Sequence, residues 1–408
     1  MINYSDVIII GGGAAGFFGA INTAQHHKNF KITILEATPK VLGKVKISGG
    51  GRCNVTHHCF NPSDLIQNYP RGGKELRGAF SRFQPQDTIN WFESRGVKLK
   101  TEDDGRIFPV TDDSQTIIDC LVKNAQQLGI KILTKTPVKD IQKSELGFNV
   151  ILKSGEILTT KNLLIATGSN PLGYEWAKKL GHSIQPPVPS LFTFKINDIR
   201  IKDLAGVSVQ NVHLQLDIKQ KKKLEQSGAL LITHWGISAP SVLKLSAWGA
   251  RILHDHQYNL PLIINWLPAY NLDSIREELQ QIKTTLTKQK VINYNQFNLP
   301  KRLWQSLVNY SLANSDKIWA EINKKEMDKL SIELTKGNYL IQGKGMFKDE
   351  FVTCGGVTLK EVDFKTMMSK ICPNLYFAGE VLDIDGITGG FNFQNAWTTG
   401  YIAGKGIS

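Results

Sequence analysis

The first 36 residues alternate between apolar runs and small-residue turns. Val7-Ile8-Ile9-Ile10 stops at Gly11-Gly12-Gly13, and a helical pattern with small residues at Ala14, Ala15, Gly16, Gly19 and Ala20 follows. A second run, Ile32-Thr33-Ile34-Leu35, ends in Glu36, twenty residues after Gly16. Short unbroken apolar runs bounded by turn residues read as strands buried on both faces, and a helix between two of them makes a parallel βαβ unit. Residues 86–95 and 114–128 carry helical spacing, the latter with cap candidates at Asp112, Asp113 and Ser114. Residues 130–133, 138–142, 148–152 and 157–160 alternate as strands, and 162–165 form another buried strand that ends in Ala166-Thr167-Gly168.

Around Pro186-Pro187-Val188-Pro189 the pattern changes. Strand-like pieces at 192–196, 207–212, 213–218 and 229–232 precede helical stretches at 241–254, 274–290, 302–309 and 322–334. Residues 374–380 then return to the first style, a strand closing in Gly379-Glu380, and the glycine turn 386–394 opens a helix over 395–403. The organisation this predicts is an α/β chain. A Rossmann-like domain with a parallel sheet is built from 1–189 and 344–408, and 190–343 is inserted, with a β part near 190–235 and a helical part near 236–343.

The opening unit is a Gly-x-Gly-x-x-Gly dinucleotide fingerprint with strand, turn, helix, strand and acid in order. Gly11 serves the tight turn, Gly13 lets backbone approach a pyrophosphate, Gly16 brings helix to strand, and Glu36 accepts ribose hydroxyls. The helix N-terminus, with Ala14 and Ala15 in its first turn, supplies amide donors and a positive dipole. Ala37 follows the acid. Thr167 and Gly168 mark a second strand end where a parallel sheet meets its ligand.

Composition adds three constraints. No apolar run reaches the roughly 18–20 residues that span a bilayer, and the glycines of the N-terminal run argue against a signal peptide. The five cysteines (Cys53, Cys59, Cys120, Cys354, Cys372) are scattered and form no metal-ligand pair, so no metal is expected and reduced thiols suit a cytoplasmic protein. The net charge is +13, of which +7 lies in 190–343 with 20 Lys/Arg against 13 Asp/Glu. That excess fits either an anionic partner or a solvated lysine-rich surface. Lys40 to Arg82 holds eight Lys/Arg against two acids, interleaved with Phe60, Tyr69, Phe80 and Phe83. This suits either a phosphate-and-base surface or a loop wrapped on an anionic cofactor. The basic run at 219–223 reads as a solvated loop.

Three further segments sharpen the picture: Lys44-Val45-Lys46-Ile47-Ser48-Gly49-Gly50-Gly51-Arg52-Cys53-Asn54, Thr233-His234-Trp235-Gly236-Ile237-Ser238, and Gly379 through Asn392. With the fingerprint and Ala166-Thr167-Gly168 they resemble the BaiN/RdsA (YhiN-like) family of FAD-dependent oxidoreductases, which have the glutathione-reductase type of flavin fold, over essentially the whole chain. The chain departs at Ala239, where the family usually has Gly before Pro, and at Cys354, where it usually has Ala. The resemblance implies that Gly11, Gly13, Ala15, Gly16 and Glu36 hold the ADP half of FAD, with Val138 near the adenine. It places Gly379, Glu380 and Asp385 by the ribityl and pyrophosphate, Gly389, Gly390 and Asn392 by the flavin ring, and Lys44, Gly51, Arg52 and Asn54 on the other side.

The family is associated with hydride addition to a conjugated C=C, in dehydro bile acids and in a ribosomal RNA uracil. Such chemistry needs a donor at the carbonyl and a general acid. Cys53 beside Arg52 and His234 are the acid candidates, each also readable as structural, and Arg52 suits either an oxyanion or an FAD phosphate. The five residues between Cys53 and Cys59 do not fit a flavin disulfide reductase. With no second Gly-x-Gly-x-x-Gly, NAD(P)H is expected only as a transient reductant. Three functional classes fit this pattern: a ribosomal RNA uracil reductase, a small-molecule enone reductase, and a flavin-containing RNA-binding factor without catalysis.

Overall fold

In a computed structural model, residues 3–218, 223–294, 296–314, 316–345 and 352–408 are described. The basic run expected as a loop at 219–223 lies, but for Lys223, outside them. The chain forms two compact units, Met1–Val188 with Val352–Ser408, and Pro189–Phe351.

In the first unit, β1 (Asn3–Ile10), β2 (Ile32–Leu35), β3 (Lys131–Leu133), β4 (Ile157–Ile165) and β5 (Leu375–Phe377) make a parallel sheet in the order β5-β4-β1-β2-β3. Short antiparallel strands extend it beyond β5, and the hairpin Val138–Ser144/Gly147–Leu152 pairs with β4. The apolar runs lie in the core: Val7, Ile8 and Ile9 are wholly buried. Residues 157–160 and 162–165, expected as two strands, are one. The first half of β4 pairs with both the hairpin and the start of β1, which carries the strand straight through Lys161.

Three helices of this unit begin at a glycine cap: α1 (Ala14–His26) at Gly13, α2 (Gly73–Phe80) at Gly72 and α3 (Phe391–Gly406) at Gly390. α1 and α3 pack through glycines, since a Cβ at Gly400 would lie 2.7 Å from the Ala15 carbonyl oxygen and one at Gly404 2.6 Å from that of Gly19. Ahead of the glycines at 49–51, Gly43–Ile47 forms a short helix before the chain turns. The proline-rich stretch forms a strand, Ile184–Ser190, pairing with Val352–Val357. Proline is tolerated there because the strand has a neighbour on one side only.

The second unit holds a six-stranded antiparallel sheet in the order Phe194–Lys195, Gly236–Ser238, Leu224–Thr233, Ser208–Leu216, Asn259–Asn265, Gly337–Gln342. Its ends meet: Lys195 N–H donates to the Gly343 carbonyl and Gly345 N–H to that of Thr193, each at 2.9 Å. This corrects the expected β part followed by a helical part. Asn259–Asn265 and Gly337–Gln342 return to the sheet from within the helical stretch, burying Leu260, Leu262, Ile264, Tyr339 and Ile341 at period two. Two more expectations change: 207–212 and 213–218 merge into one strand with a bulge between Val209 and Val212, and the helix over 241–254 breaks at Gly249. Trp266, Trp304 and Trp319 fill the core against helices Leu272–Thr285, Lys301–Ser311 and Lys324–Lys336.

Candidate active site

Ile10, Leu35, Ile165 and Phe377 stand level across four adjacent parallel strands. The segments leaving those strands, from Gly11, Glu36, Ala166 and Ala378, therefore emerge side by side at the carboxyl edge of the sheet. This is where open α/β sheets bind ligands.

At that edge Gly11 has φ +113°, and a Cβ on Gly16 would collide with the Gly11 carbonyl oxygen. Gly13 caps α1 without a side-chain bond, the first turn holds no acid, and a Cβ on Gly13 would meet nothing within 4 Å. The first-turn amides thus lie beside the open space at Gly13, at the positive end of a 13-residue helix, a cradle that fits a pyrophosphate. Glu36 is held at the end of β2: Oε2 accepts from Gly12 N–H at 2.9 Å, and Oε1 from the N–H and hydroxyl of Thr38 at 2.8 Å. Ala37, just beyond, is exposed, and Val138 begins its strand buried.

The C-terminal turn offers a second helix N-terminus at a glycine cap. Gly390 caps α3 at φ +91° with no acid in the first turn. With its amide assigned the orientation that satisfies both neighbours, Asn54 donates to the Thr56 carbonyl and accepts from Gly390 N–H, both at 3.0 Å. Asn392 closes the turn onto Gly386, accepting its N–H at 2.8 Å and donating to its carbonyl at 2.9 Å. Asp385 is fully buried and bonds both arms of Arg71. Burial opposes the Arg71 charge, but Asp385 outweighs it and raises the guanidinium pKa.

Lys44 Nζ lies 2.6 Å from Glu380 Oε2 and 3.3 Å from the Ser169 hydroxyl, next to Gly168. The other Glu380 oxygen accepts from Thr353 N–H at 3.0 Å. Gly379 sits against Ala15, where a Cβ would come within 2.8 Å of the alanine methyl. The Thr167 hydroxyl has no hydrogen-bond partner among the described residues. The two uncapped helix ends and the open space at Gly13 and Gly51 match the charge and access an FAD requires.

The candidates for chemistry fall differently. Cys53 is fully buried at φ +61°, and burial pushes its thiol up to about 12, against a smaller opposing hydrogen bond from Ser48. That is the reverse of an activated thiol. Arg52, expected to tune Cys53 or meet an anion, turns the other way. Its guanidinium lies 2.6 Å from Glu102, 3.5 Å from Asp112 and 4.0 Å above the Phe108 ring. His234 occupies the turn between Leu224–Thr233 and Gly236–Ser238 of the second unit, exposed and beside Trp235. The two acid candidates thus belong to different units.

The basic stretch is also revised. Tyr69, Phe80 and Phe83 are buried and so cannot stack on bases, while Lys44, Lys46, Arg52 and Arg71 are paired with carboxylates. Residues that are not among the candidates surround the C-terminal turn. His57 stacks on Phe391 at 4.8 Å, the Tyr69 hydroxyl donates to the Phe391 carbonyl at 2.7 Å, and buried Gln394 accepts from Thr56 and Thr88 at 2.6 and 2.9 Å. Their one local signal is that Phe391 and Gln394 fall in the glycine turn 386–394.

The HI0933-like protein Rossmann domain family matches residues 5–406. The chain is 31% identical to a ribosomal RNA dihydrouridine synthase of Haemophilus influenzae, covering 100% of both chains, and 29% identical to one of Escherichia coli, covering 98% of both. It is 28% identical to a 3-dehydro-bile acid delta(4,6)-reductase of Clostridium scindens, covering 97% of both. Two solved structures share its fold at TM-score 0.52, each over 99% of this chain. They are an open flavocytochrome c3 fumarate reductase (16% identity, 78% of that chain) and a 3-ketosteroid-delta4-(5alpha)-dehydrogenase of Rhodococcus jostii (13%, 96%). Among the described residues no helix is long and apolar enough to cross a membrane, and no group of three His, Cys, Asp or Glu gathers to hold a metal. The chain belongs to the HI0933-like family and is an FAD-dependent oxidoreductase.

Proposed function

We propose that the protein reduces a uracil of 23S ribosomal RNA to dihydrouridine, with FAD bound and NAD(P)H as transient reductant, in the cytoplasm. The carrying observation is that two relatives aligned over at least 98% of their length bear the name ribosomal RNA dihydrouridine synthase. The +13 charge supports a polyanionic substrate.

FAD, once bound and reduced by NAD(P)H, would supply hydride to one carbon of a double bond conjugated to a carbonyl. The chain holds and orients. In this reading Gly11, Gly13, Ala14, Ala15 and Gly16 take the pyrophosphate, and Glu36 takes the ribose. Lys44, Gly51, Asn54, Thr167, Gly168, Gly379 and Glu380 line the middle of the cofactor, and Gly389, Gly390 and Asn392 present the positive end of α3 to the flavin ring. Asp385 acts through Arg71. Of the two acid candidates only His234 has an exposed side chain, and it is kept as the proposed general acid. Cys53, neutral to about pH 12, packs beneath the glycine loop.

Loss of the gene removes one dihydrouridine from mapped ribosomal RNA, and the purified protein restores it. An unchanged modification map rejects the reading. The Clostridium scindens relative favours a second reading on the same chemistry, reduction of a steroid-like enone. Turnover of free enones with NAD(P)H, together with an unchanged RNA map, selects it.

A further inference from the structure

Removing the paired cations and buried aromatics from the Lys40–Arg82 stretch leaves a smaller, better-defined feature. Lys74, Arg77, Ser81 and Arg82 are exposed on α2 and the turn after it, with Gly78 exposed between them. The opposite side of α2 buries Leu76, Ala79 and Phe80 completely. The line of positive charge continues past the helix. Arg82 Nη1 donates to the Lys365 carbonyl at 2.6 Å, which places exposed Lys365 beside it. Phe83 stacks on Tyr401 at 4.4 Å, and Lys405 Nζ lies 4.8 Å over the Tyr401 ring. Gly406 packs against Thr366, next to Lys365. Among the described residues none of these five cations is in an ion pair. The acids along the line are Glu75 on α2 itself and Asp363, whose carboxylate is engaged by Lys365 N–H at 2.9 Å.

The row starts at the candidate active site. Gly72, which caps α2, faces Ile384, and Arg71 before it bonds Asp385 in the turn that leads to Gly389-Gly390. We propose that the outward face of α2, continued by Arg82, Lys365 and Lys405, is the surface on which the phosphate backbone of a substrate RNA lies as its uracil enters the site. The inference rests on the RNA reading of that site and adds where the strand is held. Two features favour RNA over an anionic membrane. The apolar side of α2 is committed to the core, so nothing on this face is free to insert into lipid. Gly78 and Ser81 between the cations leave room for phosphates to approach, and lysine and arginine contacts of this kind give sequence-independent, salt-dependent binding.

The test compares two FAD-loaded quadruple variants with equal charge change. Lys74→Ala/Arg77→Ala/Arg82→Ala/Lys365→Ala removes the row. Lys28→Ala/Lys123→Ala/Lys131→Ala/Lys139→Ala, all exposed, removes charge elsewhere on the same unit. The probe is ribosomal RNA from cells lacking the gene, titrated across salt. The first variant binds roughly tenfold or more weakly at low salt, and its log–log salt slope is lower by about 3, as expected for four lost single-strand phosphate contacts. The control keeps most of the wild-type slope. Equal loss in both variants overturns the proposal, and so does loss of binding to phosphatidylglycerol vesicles that matches the loss for RNA. FAD content and photoreduction of the flavin, unchanged in both variants, exclude misfolding. If gene loss leaves the dihydrouridine map intact while the row variant alone loses RNA binding, the catalytic reading fails and the surface stands. If the map changes but the row variant binds and modifies as wild type, the surface alone fails.

Discussion

Two glycine-rich segments border the same sheet edge, and they are glycine for different reasons. At Gly11 and Gly16, the two ends of the first segment, the side chain is excluded by neighbours: a Cβ on Gly11 would strike the Ala166 carbonyl, and one on Gly16 the Gly11 carbonyl. In Ser48–Gly51 a Cβ on Gly50 or Gly51 would meet nothing within 4 Å, yet both sit at positive φ, +69° and +86°. The first segment is closed at its ends by the packing of α1 and open only at Gly13. The second is open, held in a left-handed path by anchors on either side, among them Arg52 on Glu102 and Phe108. A tightly packed turn fixes where the cofactor's phosphates go, and an open strained loop offers backbone to whatever lies above it.

The sharpest break of that comparison is Gly16→Ala. Its methyl has main chain on the far side and no flexible side chain to displace, so α1 must move off β1. The expected cost is about 3 kcal/mol or more, the upper range for overpacking. Purified protein is expected to be colourless, with a lowered melting temperature that added FAD does not restore. A yellow protein of wild-type stability contradicts the packing account.

Cys53, which ends the open loop, gives an effect that depends on pH. Its thiol ionises near 9.0 in the unfolded chain and near 12 when folded. Between those values the folded state holds the extra proton, so its contribution to stability is complete below about pH 9 and is lost as pH rises towards 12. Denaturant midpoints from pH 8 to pH 10.5 are expected to fall more steeply for wild type than for Cys53→Ala. Native Cys53 is also expected to resist iodoacetamide at pH 8.5 while unfolded protein reacts. Rapid native alkylation would show a thiolate that the buried geometry does not allow.

Gly50→Ala probes the other half of the comparison. With free space around the Cβ the cost is that of the left-handed backbone, roughly 1 kcal/mol. The variant is expected to keep FAD and to lose activity, because the methyl stands where the loop is open. A loss as severe as that of Gly16→Ala would mean that the two segments are packed alike.

The contrast also explains which parts of the molecule are legible in the sequence. The sheet end is readable because each of its parts is local: a short apolar run, then the residue that leaves it, as at Ile10–Gly11, Leu35–Glu36, Ile165–Ala166 and Phe377–Ala378. Pairing in register brings those four points together. The sheet of the second unit is only half readable. Asn259–Asn265 and Gly337–Gln342 pair with each other across more than seventy residues, and a proline at 261 hides the alternation of the first. Arg52 and Cys53 mislead for a related reason. Adjacency in sequence suggests that one tunes the other, whereas left-handed backbone at both Gly51 and Cys53 turns the guanidinium out to Glu102 and the thiol into the core.

The smallest expected effect sharpens the rule on which the comparison rests, that open space does not remove the need for glycine where φ is positive. Ala239 precedes the helix Pro240–Trp248 at φ +87°, ψ 174°, a region that is essentially glycine's. Here the chain carries the methyl already. Ala239→Gly therefore relieves backbone strain in the folded state while adding freedom to the unfolded chain, and these oppose each other. Strain of about 1–3 kcal/mol for such a conformation exceeds the roughly 0.5–1 kcal/mol entropic penalty of glycine. The net expectation is a gain of about 1 kcal/mol, read as a higher denaturant midpoint with unchanged slope. A loss would show that the strand-to-helix junction holds its shape without strain, and that left-handed backbone at Gly50 does not by itself explain a glycine there.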